Sequence, residues 1–131
     1  MKLLYYLAAI GQGKLEKKKE IFFDNIVKIA TKINQKIDVI INMYDNDDDF
    51  INKVKSCIFI DKYYIHYKKG VLVELWKSNP YHQIINRYDY VLFILDDVLL
   101  ENFDINKLIK IKKNIILILY LLLLKMQLIS G

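Results

Sequence analysis

Apolar positions along the chain fall into two rhythms. Residues 2–10 form a nearly continuous apolar run holding Tyr5 and Tyr6, the pattern of a strand covered on both faces. Gly11-Gln12-Gly13 breaks that run. Over residues 15–34 the rhythm changes: Ile21, Phe22, Ile26, Ile29, Ala30 and Ile33 recur at three- and four-residue spacings, which predicts a helix with one apolar stripe. Lys14, Lys17, Lys18, Lys19, Lys28 and Lys32 decorate its other faces.

Residues 37–43 (IDVIINM) read as a second strand, followed by an acidic loop or helix start at residues 45–49. Residues 56–60 read as a third, short strand, and the loosely alternating residues 62–69 (KYYIHYKK) as an edge strand or loop. Residues 70–87 carry a helix broken near Asn79-Pro80, because proline disfavours helix at the residue before it. Residues 88–95 form the fourth strand and residues 106–113 a short helix. Strands separated by helices predict an α/β fold: a mostly parallel, Rossmann-like sheet with crossover helices. Ligands of such sheets bind beyond the carboxyl ends of the strands. Those ends are Ile10-Gly11, Tyr44-Asp45 and Asp96-Asp97.

Length and composition narrow the picture. A chain of 131 residues suits one domain, and 54% hydrophobic residues exclude wholesale disorder. The net charge of +5 favours anionic partners, or simply a lysine-rich solvated surface. Cys57, the single cysteine, has no internal disulfide partner and reads as inert packing, which permits a reducing compartment. Residues 3–10 sit at the short end of the ~7–15-residue core of a signal peptide and read better as a buried strand. Residues 115–124 are apolar throughout but fall short of the ~20 needed to cross a bilayer. No transmembrane segment and no export signal are expected, so a cytoplasmic location is the default.

The chemistry concentrates at the end of the fourth strand. Val91-Leu92-Phe93-Ile94-Leu95 is too apolar for a surface strand, and it delivers Asp96 and Asp97 where the chain leaves the core. Successive strand residues point to opposite faces, so both acids meet one ligand only if the chain turns there. Two carboxylates at such a place suit a divalent cation bridging to phosphate oxygens. The plainer account is a solvated strand terminus with a helix-capping aspartate.

KKGVLVELWKSNP (residues 68–80), YDYVLFILDDV (residues 88–98) and NFDI (residues 102–105) together resemble nucleotide-sugar-dependent glycosyltransferases of the GT-A fold. In that superfamily a helix opening near a glycine leads into a strand that ends in the acidic DxD motif. The resemblance implies that residues 1–113 are the nucleotide-binding half-domain, with Mn²⁺ or Mg²⁺ as cofactor and a UDP- or GDP-sugar as donor. It implies that Asp97 coordinates the metal and that Asp96 contacts the ribose or a metal-bound water. Ile10 and Gly11 would then lie along the base and ribose, Asp45 would read the base, and Lys69 and Gly70 would meet phosphate. Val98 stands where a third acid often sits, so the motif is a doublet. The acceptor is unknown, and no residue reads as a catalytic base.

A competing phosphate site lies near the amino terminus. Residues 8–14 (AAIGQGK) have the A-x-x-x-x-G-K spacing of a P-loop between a strand and a helix, and VLFILDD could supply the metal-facing aspartate of an NTPase. Leu15 stands where that motif needs a hydroxyl. A non-enzymatic remnant or interaction module is the third reading. Lys62, Tyr63, Tyr64, His66, Tyr67, Lys68 and Lys69 interleave cations with aromatics, but read as edge-strand packing guarded by lysines, so no nucleic acid is expected. His66 and His82 lack metal-ligand partners at suitable spacing and read as surface or half-buried residues, and Trp76 as helix packing. From residue 114 on, charge nearly vanishes and leucine dominates, which suggests an out-of-frame tail or a truncated gene, or else a terminal strand or helix covering the sheet.

Overall fold

The computed structural model describes residues 2–11, 15–70 and 72–100. Lys14 of the P-loop-like segment, the NFDI segment, the helix expected at 106–113 and the apolar tail all lie outside the described residues.

The chain is α/β. Strand β1 (Leu3–Ile10) leads to helix α1 (Leu15–Ile33), strand β2 (Ile37–Met43), helix α2 (Asp48–Ser56) and strand β3 (Ile60–Tyr67). Helix α3 (Leu72–Ser78), a 3-10 turn (His82–Arg87) and strand β4 (Tyr90–Ile94) follow. The four strands form one sheet in the order β3-β2-β1-β4, and every pairing is parallel. Such a sheet needs a crossover between successive strands, which the helices provide. β1 and β2 are central, and both are buried along nearly their whole length.

Alternation along β1 divides the core. Leu3, Tyr5 and Leu7 face one side, where the α1 stripe Phe22, Ile26, Ile29 and Ala30 packs together with Phe50 and Val54 of α2. Leu4 and Tyr6 face the other side, with Ile40, Ile84 and Val91. Each fully buried large side chain stabilises by roughly 1.5–3 kcal/mol, far more than an exposed ion pair, so this burial holds the fold.

One expectation is resolved by the structure and another is corrected, each for a physical reason. The acidic stretch opens a full helix: the Asp47 carboxylate accepts the Phe50 amide at 3.1 Å as an N-cap. Asp48 and Asp49 then sit in the first turn, where the helix dipole favours negative charge. Phe50, Ile51 and Val54 give this nine-residue helix a short apolar stripe against the core. The third strand is displaced as well. Ser56 ends α2, Cys57 to Phe59 form a turn, and Ile58 is 73% exposed, so β3 begins only at Ile60 and covers the tyrosine-rich segment. A short apolar run cannot by itself separate strand from turn. The half-buried Cys57 lies in that turn. The break at Asn79-Pro80 falls where expected, between α3 and the 3-10 turn.

Candidate functional site

The carboxyl ends of β1, β2 and β4 bring three of the expected segments together. Gly11 follows β1 with φ +140, and a Cβ there would lie 3.0 Å from Tyr44 Cβ and 3.1 Å from Asp45 Oδ2. A side chain is therefore disfavoured twice, by conformation and by the tight approach of Tyr44 and Asp45. The Tyr44 amide donates to the Ile10 carbonyl at 2.9 Å, which fixes the loop after β2 against the end of β1. Ile10, Gly11 and Asp45 thus share one corner of the sheet.

Asp96 enters the same corner from β4. The chain turns directly after the strand, with the Val98 amide donating to the Leu95 carbonyl at 3.4 Å across Asp96 and Asp97. This turn is the condition for two successive acids to serve one ligand. Asp96 is half-buried and its carboxylate meets Lys18 Nζ of α1 at 3.1 Å. The same ammonium donates to the Gly11 carbonyl at 3.1 Å. Burial pushes the Asp96 carboxyl above the usual carboxylate range; the hydrogen bond from Lys18 opposes that shift, and the neighbouring Asp97 adds to it. Tyr44 is held above its ordinary value by burial first and then by the Asp96 charge, with Lys18 opposing. Asp97 is exposed.

What holds the turn is Asn25, buried on α1. Its amide donates to the Val98 carbonyl at 2.7 Å and to Tyr5 Oη at 3.0 Å, while its Oδ1 accepts the Leu100 amide at 2.9 Å. One side chain thereby ties helix, central strand and the chain beyond Asp97 into a single clasp. Buried polar groups that are fully partnered specify one geometry.

Compared with protein-family models, curated proteins and solved structures, this chain matches none.

The remaining site residues stand apart. Lys69 and Gly70 follow β3, and the Lys68 amide donates to the Met43 carbonyl at 3.1 Å. They share the carboxyl edge with Asp96 but lie three strand spacings away, roughly 14 Å. Gly70 has φ +148, and a Cβ there would collide with the Glu74 carboxylate of α3. Its role in this structure is to turn the chain tightly into α3.

Sequence reasoning named Tyr44 only as a strand end and gave no site role to it, to Lys18 or to Asn25. A signal existed for two of them: Lys18, Phe22, Asn25 and Ile29 fall at helical spacing on the core-facing stripe of α1. A lysine and an asparagine on an apolar stripe need buried partners, and Asp96 and the Val98 carbonyl are those partners. Lys19 is a parallel case, nearly buried, with Asp47 Oδ2 at 2.7 Å and Glu16 Oε1 at 3.2 Å.

Proposed function

We propose that the chain binds a nucleotide-diphosphate sugar through a divalent metal at Asp96-Asp97, as the nucleotide-binding half of a GT-A-like glycosyltransferase. The observation that carries this reading is the convergence of Gly11, Asp45 and the Asp96-Asp97 turn at one carboxyl corner of a parallel sheet. Ligands of open α/β sheets collect at that edge. Gly11 lets the loop after β2 close on the end of β1, and Asp45 of that loop would be the group to accept from a base or ribose.

The donor set fits a metal delivered on a diphosphate. Among the described residues no group of three or more His, Cys, Asp or Glu is assembled to hold an ion unaided. Mg²⁺-type ions keep several waters and need only one or two carboxylates when phosphate oxygens complete the shell. Asp97, exposed, takes the metal; Asp96, already balanced by Lys18, contacts the ribose or a metal-bound water. Bound there, the ion supplies neutralising charge to the diphosphate. Lys69 and Gly70 would serve phosphate only for a ligand reaching across the edge.

Among the described residues no helix is long and apolar enough to cross a membrane. The reading takes a cytoplasmic setting and a UDP- or GDP-sugar donor, with Mn²⁺ or Mg²⁺. Calorimetry with UDP and GDP, with and without Mn²⁺, tests it. Metal-dependent binding should be lost in Asp97→Ala, whereas metal-independent or absent binding leaves a non-enzymatic remnant.

A P-loop-like NTPase is the second reading, favoured by one observation: β1 pairs side by side with β4, so a phosphate loop after Ile10 would adjoin Asp96. Loss of ATP or GTP binding in Lys14→Ala would select it over the first.

A further inference from the structure

The opposite end of the sheet carries a concavity that the nucleotide reading does not use. It measures about 230 Å³ and lies at the amino ends of the strands, lined among others by Lys2, Lys36, Lys62 and Arg87. We propose that this amino-edge cavity is a binding site for a phosphate group.

Charge is the first argument. Four cations face two carboxylates, Asp38 and Asp61, a formal excess of two positive charges. None of the four cationic side chains is in an ion pair with a described residue, whereas Lys17, Lys18, Lys19 and Lys53 all are. The Asp38 carboxylate, already counted in that balance, is held by neutral donors and not by any of the four cationic side chains. Oδ1 accepts the Lys62 amide at 3.0 Å and Oδ2 accepts Tyr88 Oη at 2.6 Å.

Rigidity is the second. The β2–β3 register shifts between Ile37 and Val39, and the Asp38 side chain takes up the Lys62 amide beside that irregularity. Tyr88 then bridges to Asp38 from the segment preceding β4, next to Arg87. Lys62 and Arg87 are therefore mounted on backbone fixed through one carboxylate. Asn34, at φ 54, turns the chain out of α1 toward Lys36 on the third side. A dianion placed among these groups meets ammonium donors and a planar guanidinium that matches phosphate oxygens two at a time.

Size is the third. The volume falls below the ~300–1,000 Å³ typical of pockets for drug-sized ligands, which suits a small anion. A free phosphate and a phosphomonoester present the same group here.

The test titrates the full chain with inorganic phosphate at ionic strength held constant with sodium chloride, following backbone amide shifts by NMR. Saturable shifts are expected at Lys36, Lys62 and Arg87. The exposed pair Lys36→Gln and Arg87→Gln together should weaken binding by about tenfold or more, the scale of one or two charge-assisted hydrogen bonds. If the double variant loses its dispersed spectrum, Lys36→Gln alone serves the same comparison. The proposal is overturned by an absence of saturable shifts at constant ionic strength, or by unchanged affinity in the variants. It is overturned equally by shifts confined to Gly11, Tyr44 and Asp96, since those report the carboxyl edge. Glucose 6-phosphate run in parallel separates the two sources: tighter binding assigns the phosphomonoester, equal or weaker binding the free ion.

Discussion

Tyr5 and Tyr6 are neighbours on the same central strand, both fully buried, yet they face two differently built halves of the core. Tyr5 meets Phe22 edge-on at 5.5 Å and has a single side-chain partner, the Asn25 amide. Around it the α1 face is aliphatic and aromatic. Tyr6 meets a network instead. Its hydroxyl accepts from Asn42 at 3.1 Å and shares a hydrogen bond with His82 Nε2 at 2.6 Å. Asn42 Oδ1 accepts from Asn79 at 2.6 Å, and Asn79 Oδ1 takes the Tyr81 amide at 2.7 Å. Burial raises the Tyr6 hydroxyl to about 12, against opposing hydrogen bonds from the two asparagines, so it stays protonated at neutral pH. One face is held by volume, the other by directed bonds, and the two should fail in different ways.

The largest effect is expected on the volume-held face. Phe22→Ala removes a buried ring that also touches Phe23 at 5.0 Å and Phe50 at 5.5 Å, and should cost about 3–5 kcal/mol in denaturant unfolding. The corresponding ring across the sheet is Trp76, stacked on Tyr6 at 4.8 Å and on Phe93 at 5.4 Å but still 37% exposed. Trp76→Ala should cost only about 1–2 kcal/mol, from partial burial and ring contacts. Equal losses from the two variants would erase the distinction.

Asn25→Leu probes an exception, a directed clasp on the volume-held face. It strands the Val98 carbonyl, the Leu100 amide and the Tyr5 hydroxyl, and an unsatisfied buried group costs about 1–3 kcal/mol. We expect a loss of about 3 kcal/mol, together with weaker metal-dependent nucleotide binding because the Asp96-Asp97 turn is released. Stability lost without any change in binding would show that the turn holds itself.

The same contrast explains what was legible in the sequence. The volume-held parts could be read: the β1 run, the α1 stripe and the apolar β4 appear as periodicity, and with them the parallel α/β order and the carboxyl edge holding Gly11, Asp45 and Asp96. The directed parts could not. The links Tyr6–Asn42, Asn42–Asn79 and Tyr6–His82 span 36, 37 and 76 residues, and nothing in local spacing joins them. Lys18 looked like one of six helix lysines until Asp96 was brought beside it. The displaced third strand failed for a related reason, because Cys57 to Phe59 are apolar without being in a strand.

Acidification should separate the two faces with the smallest effect. His66 and His82 both lie on the network side, and burial depresses each below the ordinary imidazole value, with the charges of Lys68 and His82 adding to the shift of His66. His66 Nε2 lies 2.7 Å from Ser78 Oγ, which itself donates to the Leu75 carbonyl, so the ring donates. His82 Nε2 shares a hydrogen bond with the Tyr6 hydroxyl at 2.6 Å. A depressed folded pKa means that the unfolded chain binds more protons as pH falls through about 6.5. The stability of these neutral rings is complete above that value and declines below it, down to their lower folded pKa values. Asp96, raised by burial, contributes with the opposite sign, and its window opens near the ordinary carboxylate range, further toward acid. Between pH 7 and 5 the histidines should therefore set a positive slope of stability with pH. His66→Gln with His82→Gln should flatten that slope in urea unfolding, and the near-UV signal of Trp76 should fall before that of the α1 face. A slope unchanged in the double variant would place the acid-sensitive contacts elsewhere and leave the network face no more pH-dependent than its partner.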